Sequence, residues 1–477
     1  MRSGVDGFIS EITSGKKSGR IESLKAIIES GIDPGEIPSS LRPSPPNDPR
    51  YLKINLHIHT SESFGVFHNA TEAALEGYIA GLAYMGINDH YTVAGHQEFK
   101  EACSIVRIKP LLSMEAIAKS PQEAEMGLRI NDPNNPGRCY LSSKGVSKPF
   151  IPGNEGTRYL EQMRNATFLR NAEIAEKIGE FLKSQGFEKP FTYDVVLSHT
   201  PQGNVTERHL ALALCQYLQE ELGAPEEITR FMREFWPSFD EKIAQDSVQL
   251  QSYLREVFIK VGGKAYVAES DEAFIELGSM LRLHLEIGGI PSYSLIGSPL
   301  TEVERDIPFL FDWLEEHNIF AVDVFPEKID FDRLKSIVDE AQKRYFPVFV
   351  GTEHNTKDPE PLVVPLSCRG EFNPYFIASA RLLLGHQTIS EISGPGFVDH
   401  QGNHQFSDRE KAFLLYSKIG LLNFTDKALQ ALRETIHKRE VLEEVCSEIP
   451  GELIYDASME GIKLDFDEDS RKFRLVY

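Results

Sequence analysis

The stretch Leu52–Gly65, read Leu-Lys-Ile-Asn-Leu-His-Ile-His-Thr-Ser-Glu-Ser-Phe-Gly, constrains this chain more than any other. It is apolar and alternating enough for a short buried strand, and it carries His57 and His59 to the point where that strand runs into polar loop residues. Side chains two apart on a strand share a face, so both imidazoles can reach one point. Two converging imidazoles are natural ligands for Zn, Mn or Fe. A His-x-His pair also arises by chance on half-buried strands, so the rest of the chain has to decide.

Two further runs end the same way. Met85–Asn88 reads as a strand stopping at Asp89-His90, and Pro110–Met114 as one stopping at Glu115, with helices over 70–84 and 97–104 before them. Later, Ile290–Leu295, Ile319–Phe325 and Pro347–Val350 read as strands, with helices near 306–317 and 332–344 between them. The last strand runs into Gly351-Thr-Glu353-His354-Asn355. This alternation predicts a parallel α/β sheet or barrel, in which chemistry gathers at the strands' carboxyl ends.

Around this alternation, residues 1–50 read as a helical prefix and a Pro-rich linker, each proline biasing its predecessor away from helix. The barrel-like part covers 51–404. Within it, 127–152 is too rich in Asn, Pro and Gly for a helix or long strand, and a loop of that length is often functional. Residues 155–262 read as a helical subdomain opening with one long helix, 263–267 as extended and 271–287 as helix. Residues 405–477 read as a helical extension with a small β-hairpin ending.

Composition excludes several functions. A net charge of −22 over 477 residues excludes an extended nucleic-acid footprint, although a locally basic pocket for a small phosphate compound remains compatible. Five scattered cysteines lack the spacing of a disulfide framework or zinc knuckle and fit a reducing compartment. Neither an apolar signal core nor a membrane-length apolar run of about 20 residues is present, so the expectation is a cytoplasmic protein without membrane partners.

The strand-end constellation is His57, His59, His90, Glu115 and Glu353, with Asp89 and His354 beside them. Imidazole and carboxylate without thiolate suit Mn, Zn or Fe rather than a structural zinc. Arg138, Lys144 and the pair Arg208-His209 are candidates for gripping a phosphorylated or otherwise anionic small molecule, because charge-assisted hydrogen bonds do that work. Each has a blander role available: Asp89-His90 as a cap, Glu115 as a paired core carboxylate, Arg138 as a loop tie and Arg208 as a helix-end residue.

The motifs His57-Ile-His59-Thr-Ser, Gly-Ile-Asn-Asp89-His90-Tyr-Thr-Val-Ala-Gly and Ser-Met-Glu115 resemble the first three motifs of the PHP (polymerase and histidinol phosphatase) family. Arg208-His209-Leu-Ala-Leu-Ala-Leu and Gly263-Lys-Ala-Tyr-Val resemble segments of the PHP phosphoesterases acting on nucleotides. The resemblance implies a distorted seven-stranded β/α barrel (α/β class, PHP-type) with helical insertions, holding one to three metal ions. It implies metal ligation by His57, His59, His90, Glu115 and Glu353, catalytic roles for Asp89, His90 and His354, and substrate contacts from Arg208, His209 and Asn355. The departures are specific. Leu295 stands where the family carries a histidine, Asn355 where it carries another, and no histidine follows Glu115 at the family's distance, with Tyr140 nearest. This predicts one tight divalent ion and at most one weaker neighbour.

Three functions follow. The leading one is a metal-dependent hydrolase, a phosphoesterase on a small phosphorylated molecule. The second keeps the metal for a non-phosphate sugar or acid substrate, and the third is a non-catalytic binding or regulatory module with a degenerate site.

Overall fold

The computed structural model describes residues 2–148, 150, 153–200, 203–297, 299–393, 396–398, 408–436, 438–459 and 461–476. Its central sheet is made of β1 (Lys53–Ile58), β2 (Leu82–His90), β3 (Lys109–Lys119), β4 (Arg138–Lys144), β5 (Ile275–Glu276), β6 (Ile290–Leu295), β7 (Ala321–Val324) and β8 (Val348–Val350). The order is β1-β2-β3-β4-β6-β7-β8, with β5 a short addition to β3. The chain after β8 returns to β1 through a bridge between Ile58 and Glu353, where the His59 amide donates to the Glu353 carbonyl at 2.8 Å. Seven strands thus nearly close into a barrel flanked by helices, the fold class that the sequence motifs imply.

Four sequence-based expectations need correcting. Residues 138–144, read as part of a loop, form β4, which runs antiparallel to both β3 and β6. Its polar residues obscured it, because Ser142 and Lys144 are buried inside the barrel rather than exposed. The helix read over 70–84 stops at Ala80, since Gly81 takes a left-handed φ of +77° that ends it, and β2 starts at Leu82. Residues 263–267 are not a strand; Lys264 and Ala265 fold back to donate to the carbonyls of Val257 and Phe258. The helix read over 271–287 divides into a short turn, β5 and the helix Leu277–Glu286.

Apolar side chains between the strands and the surrounding helices form the main core, whereas the barrel interior is polar. Ser142, Lys144, Ser292 and Asp323 are all fully buried there, each hydrogen-bonded or ion-paired to another polar group of the barrel. Gly351 is required at the end of β8, because a Cβ there would lie 2.3 Å from the Cβ of His57.

The helical insertion runs from Glu155–Ser184 through Glu207–Leu222 to Ser247–Leu254 and has its own core around Ile174, Leu214, Leu218 and Phe258. It docks on the barrel rim through Asn204, whose amide donates to the carbonyls of Glu62 (3.0 Å) and His90 (2.8 Å). Glu207 ties the insertion together, meeting Arg170 at 2.9 Å, Arg255 at 2.9 Å and Lys260 at 2.8 Å. Burial opposes its ionisation, but Arg255, Lys260 and Arg170 outweigh burial and bring the carboxyl down to about 2 from 4.5. A carboxyl depressed on folding stabilises fully above its unfolded value and loses that contribution as pH falls towards the folded value. Stability is therefore expected to drop between pH 4.5 and about 2, and less steeply in Glu207→Gln, as thermal melts across that range would show. At neutral pH the same substitution should cost ~3 kcal/mol, the low end for a broken buried pair, because Arg255 and Lys260 keep contact with water.

The C-terminal part is pinned to the barrel by the helix Asn373–Ser393. Its Arg381 is fully buried and donates to the carbonyls of Leu453, Ile454, Asp456 and Met459 at 2.7–3.0 Å. β9 (Leu422–Phe424), β10 (Ile462–Asp467) and β11 (Lys472–Val476) form a second sheet, with β10 and β11 the expected antiparallel hairpin. Among the described residues, no helix is long and apolar enough to cross a membrane.

Candidate metal centre

His57 sits near the end of β1 and His59 just beyond it, both fully buried, and Glu115 reaches them from β3. Ligand atoms of these three side chains lie within 4.8 Å of one another. The Nε2 atoms of His57 and His59 are 3.3 Å apart, and Glu115 Oε2 is 3.6 Å from the first and 3.4 Å from the second. His90, at the end of β2, brings its Nδ1 to 3.4 Å from the same oxygen and stacks on His59 at 4.4 Å between ring centroids. Ser294 Oγ donates to the other carboxylate oxygen of Glu115 at 3.3 Å.

The electrostatics suit a cation. Burial works against ionisation of Glu115, but His90, His57 and His59 outweigh it and hold the carboxyl well below its usual range. Burial pushes the His59 imidazole well below its usual value and lowers His90 as well, so both are neutral donors at pH 7. The buried Nδ1 of His90 has no hydrogen-bond partner, an orphaned atom aimed at this cluster. Asn88 Nδ2 lies 2.8 Å from His57 Nε2 while its own Oδ1 is buried without a partner, so a cation at His57 would displace this contact. The donor set therefore fits a divalent ion.

The other expected site residues fall elsewhere. The Glu353 carboxylate is not in this cluster; its Oε2 pairs with Lys328 at 2.6 Å and accepts from Asn355 at 3.0 Å. Glu353 and His354 are consecutive left-handed residues, φ +51° and +57°, where the chain runs alongside the end of β1 and the Glu353 side chain is directed to Lys328. His354 is committed to that turn, with its two ring nitrogens on Thr352 Oγ1 (2.7 Å) and the Glu360 carbonyl (3.0 Å). Asp89 accepts from the Thr60 amide (2.7 Å), the Thr60 hydroxyl (2.8 Å) and Ser63 Oγ (2.6 Å), so it orders the loop behind His59.

A cavity of about 190 Å³ opens beside His90, between the barrel rim and the helical insertion. Phe64, Tyr91, Tyr140, Phe168, Tyr193 and Phe274 give it aromatic walls, and Arg164, Arg170, Arg208, Arg255 and Lys260 face two carboxylates, Glu207 and Glu269. Arg208 bonds Asn355 Oδ1 at 3.2 Å and has no carboxylate in ion-pair distance among the described residues. Burial, then the nearby Arg255, lowers this guanidinium to about 10, so it stays charged at neutral pH.

Arg208 and Asn355 thus line the cavity, and the remaining expected substrate contacts do not. Lys144 is fully buried in the barrel, 2.7 Å from Asp323. His209 is spent on the cap of its own helix, its Nδ1 accepting from the Thr206 amide at 3.1 Å. Arg138 pairs with Glu269 at 3.0 Å and lies over the Phe274 ring, bracing two wall residues. Sequence reasoning missed Asp323 and Ser294, although a lone aspartate inside the apolar run Ala-Val-Asp-Val is a signal for a buried partner.

No family model matches the chain, and no curated protein does either. Among solved structures, it is similar to a protein from Bifidobacterium adolescentis assigned as a metal-dependent phosphoesterase, at 19% identity and TM-score 0.45, covering 67% of this chain and 92% of that one. It is also similar to an amidohydrolase from Chromobacterium violaceum, solved with sulfate and no metal, at 16% identity and TM-score 0.45, covering 66% of this chain and 93% of that one.

Proposed function

We propose that this protein is a metal-dependent hydrolase acting on a small anionic molecule, with a phosphoester as the bond cleaved. One observation carries the reading: His90 lies against the His57–His59–Glu115 cluster and also in the wall of a cavity containing a partly buried guanidinium, Arg208, with no carboxylate in ion-pair distance among the described residues. A substrate anion held by Arg208 would have its reacting end beside the cluster, where proximity replaces a bimolecular encounter.

His57, His59 and Glu115 would hold the ion, with His90 adjacent. The nitrogen and oxygen donors support Mn, Zn or Fe. A divalent ion held there would polarise a phosphoryl oxygen and lower the pKa of water. Arg208 would balance the charge of the anion, and Asn355 would orient the guanidinium. Phe64 and Tyr91 would exclude bulk water, strengthening those charge interactions.

The set of donors supports one tight ion. Leu295 is buried and apolar, and Glu353 is engaged by Lys328, so neither adds a ligand. The test loads protein purified without chelator with Mn, Zn or Fe(II) and screens phosphomonoesters, phosphodiesters, amides and lactones. Metal-dependent release of phosphate supports the reading. Metal-dependent cleavage confined to amides or lactones, or the absence of any divalent binding, would overturn it.

A further inference from the structure

A lysine and an aspartate with no place in the chemistry above lie on the far side of His57. Lys144 (β4) and Asp323 (β7) are both fully buried, with Lys144 Nζ 2.7 Å from Asp323 Oδ2. The same carboxylate oxygen is 2.8 Å from His57 Nδ1, and the other accepts from Ser292 Oγ at 2.7 Å. Lys144 Nζ also donates to the Leu56 carbonyl at 3.0 Å. Every polar atom of this group points at another, and the Phe325 ring closes the side of His57 edge-on at 4.9 Å.

An ionised carboxylate only accepts hydrogen bonds, so the nitrogen of His57 facing Asp323 has to carry the proton. In the neutral ring, the form a cation would require, the lone pair then lies on Nε2, the atom facing His59 and Glu115. A single buried carboxylate would be costly on its own, and Lys144 supplies the charge that lets it stay there. Lys144 is in turn oriented by the carbonyl of Leu56, the residue before His57. The arrangement spans β1, β4 and β7, so the His57 ring is held by three strands at once.

We infer that Asp323 and Lys144 are positioning residues that lock His57 in the Nδ1-protonated form, with Nε2 directed into the cluster, and thereby set the affinity for the divalent ion. This rests on the metal-dependent reading above. Partners of this kind behind a ligating histidine are typically worth 10–100-fold in metal affinity. It also accounts for a lysine buried deep inside the barrel.

The first test needs no variant: ¹⁵N NMR of the histidine rings in metal-free protein, with His57 assigned by its loss in His57→Gln. At a pH where the ring is neutral the Nδ1-protonated tautomer is expected, and the Nε2-protonated tautomer would overturn the inference. The second compares Mn(II) titrations of the wild type, the double variant Lys144→Met/Asp323→Leu, and Asp323→Asn, each checked for folding by its thermal melt. The double variant removes both charges together and leaves no unpaired ion. It should bind Mn(II) roughly 10–100-fold more weakly and lose the single protonated form in the NMR spectrum. Asp323→Asn retains an acceptor oxygen for His57 but leaves Lys144 without its counter-charge, so it should melt lower than the double variant while binding Mn(II) closer to wild type. A folded double variant with wild-type affinity would overturn the inference. If the wild type bound no divalent ion, the metal reading would fail, while the ring spectrum would still decide what holds His57.

Discussion

Glu115→Gln is expected to abolish useful divalent-metal binding, weakening it by more than about 100-fold, beyond the range for residues that only support a ligand. One oxygen of Glu115 lies within 3.4–3.6 Å of nitrogens on His57, His59 and His90, so it is the carboxylate these imidazoles share. The amide keeps the size of the side chain and its contact with Ser294, while the charge that draws a cation past three imidazoles is gone. Calorimetric titration with Mn(II) and metal analysis of the purified protein measure this directly. Metal content equal to wild type would mean that Glu115 is a structural partner of the histidines. The melt should also fall at neutral pH, since a carboxyl held well below its usual range by the histidines contributes stability that the amide lacks.

Arg208→Ala should lower kcat/KM for a phosphorylated substrate by roughly 10–100-fold, matching the ~1.5–3 kcal/mol of a hydrogen bond to a charged group. Metal affinity should be unaffected, because Arg208 touches the cavity and Asn355, not the cluster. The loss should appear mainly in KM if the guanidinium grips the substrate and its transition state equally, and in kcat if it meets charge that develops during reaction. Arg208→Lys should recover little, since an ammonium lacks the planar fork that pairs two oxygens. Equal kinetics with charged and uncharged versions of one substrate would remove Arg208 from recognition.

Much of the centre was legible in the chain because strand ends are local features. A run of apolar residues, a period of two and an abrupt change to polar residues identify where β1, β2 and β3 deliver His57, His59, His90 and Glu115. Those four come together because neighbouring parallel strands stay in register, and His90 pairs directly with Glu115 across β2 and β3. Arg208 and Asn355 were legible as chemistry, although their meeting across 147 residues was not.

What the chain did not disclose depended on which face a polar residue takes. Lys144 and Arg138 bracket the same strand, and both are cations available in principle to a substrate. Only closure of the barrel decides that Lys144 faces Asp323 from inside, while Arg138 braces the cavity wall from the rim. Glu353 shows the same limit at the backbone: its sequence position promises a ligand, but two consecutive left-handed residues hand its carbonyl to His59 and its carboxylate to Lys328. Periodicity along the chain determined the strands, the polar rim and the imidazole–carboxylate donors. The direction of a single side chain within a polar barrel depends on contacts between strands far apart in sequence, so only the tertiary structure settled which cations line the cavity and which are buried against a carboxylate.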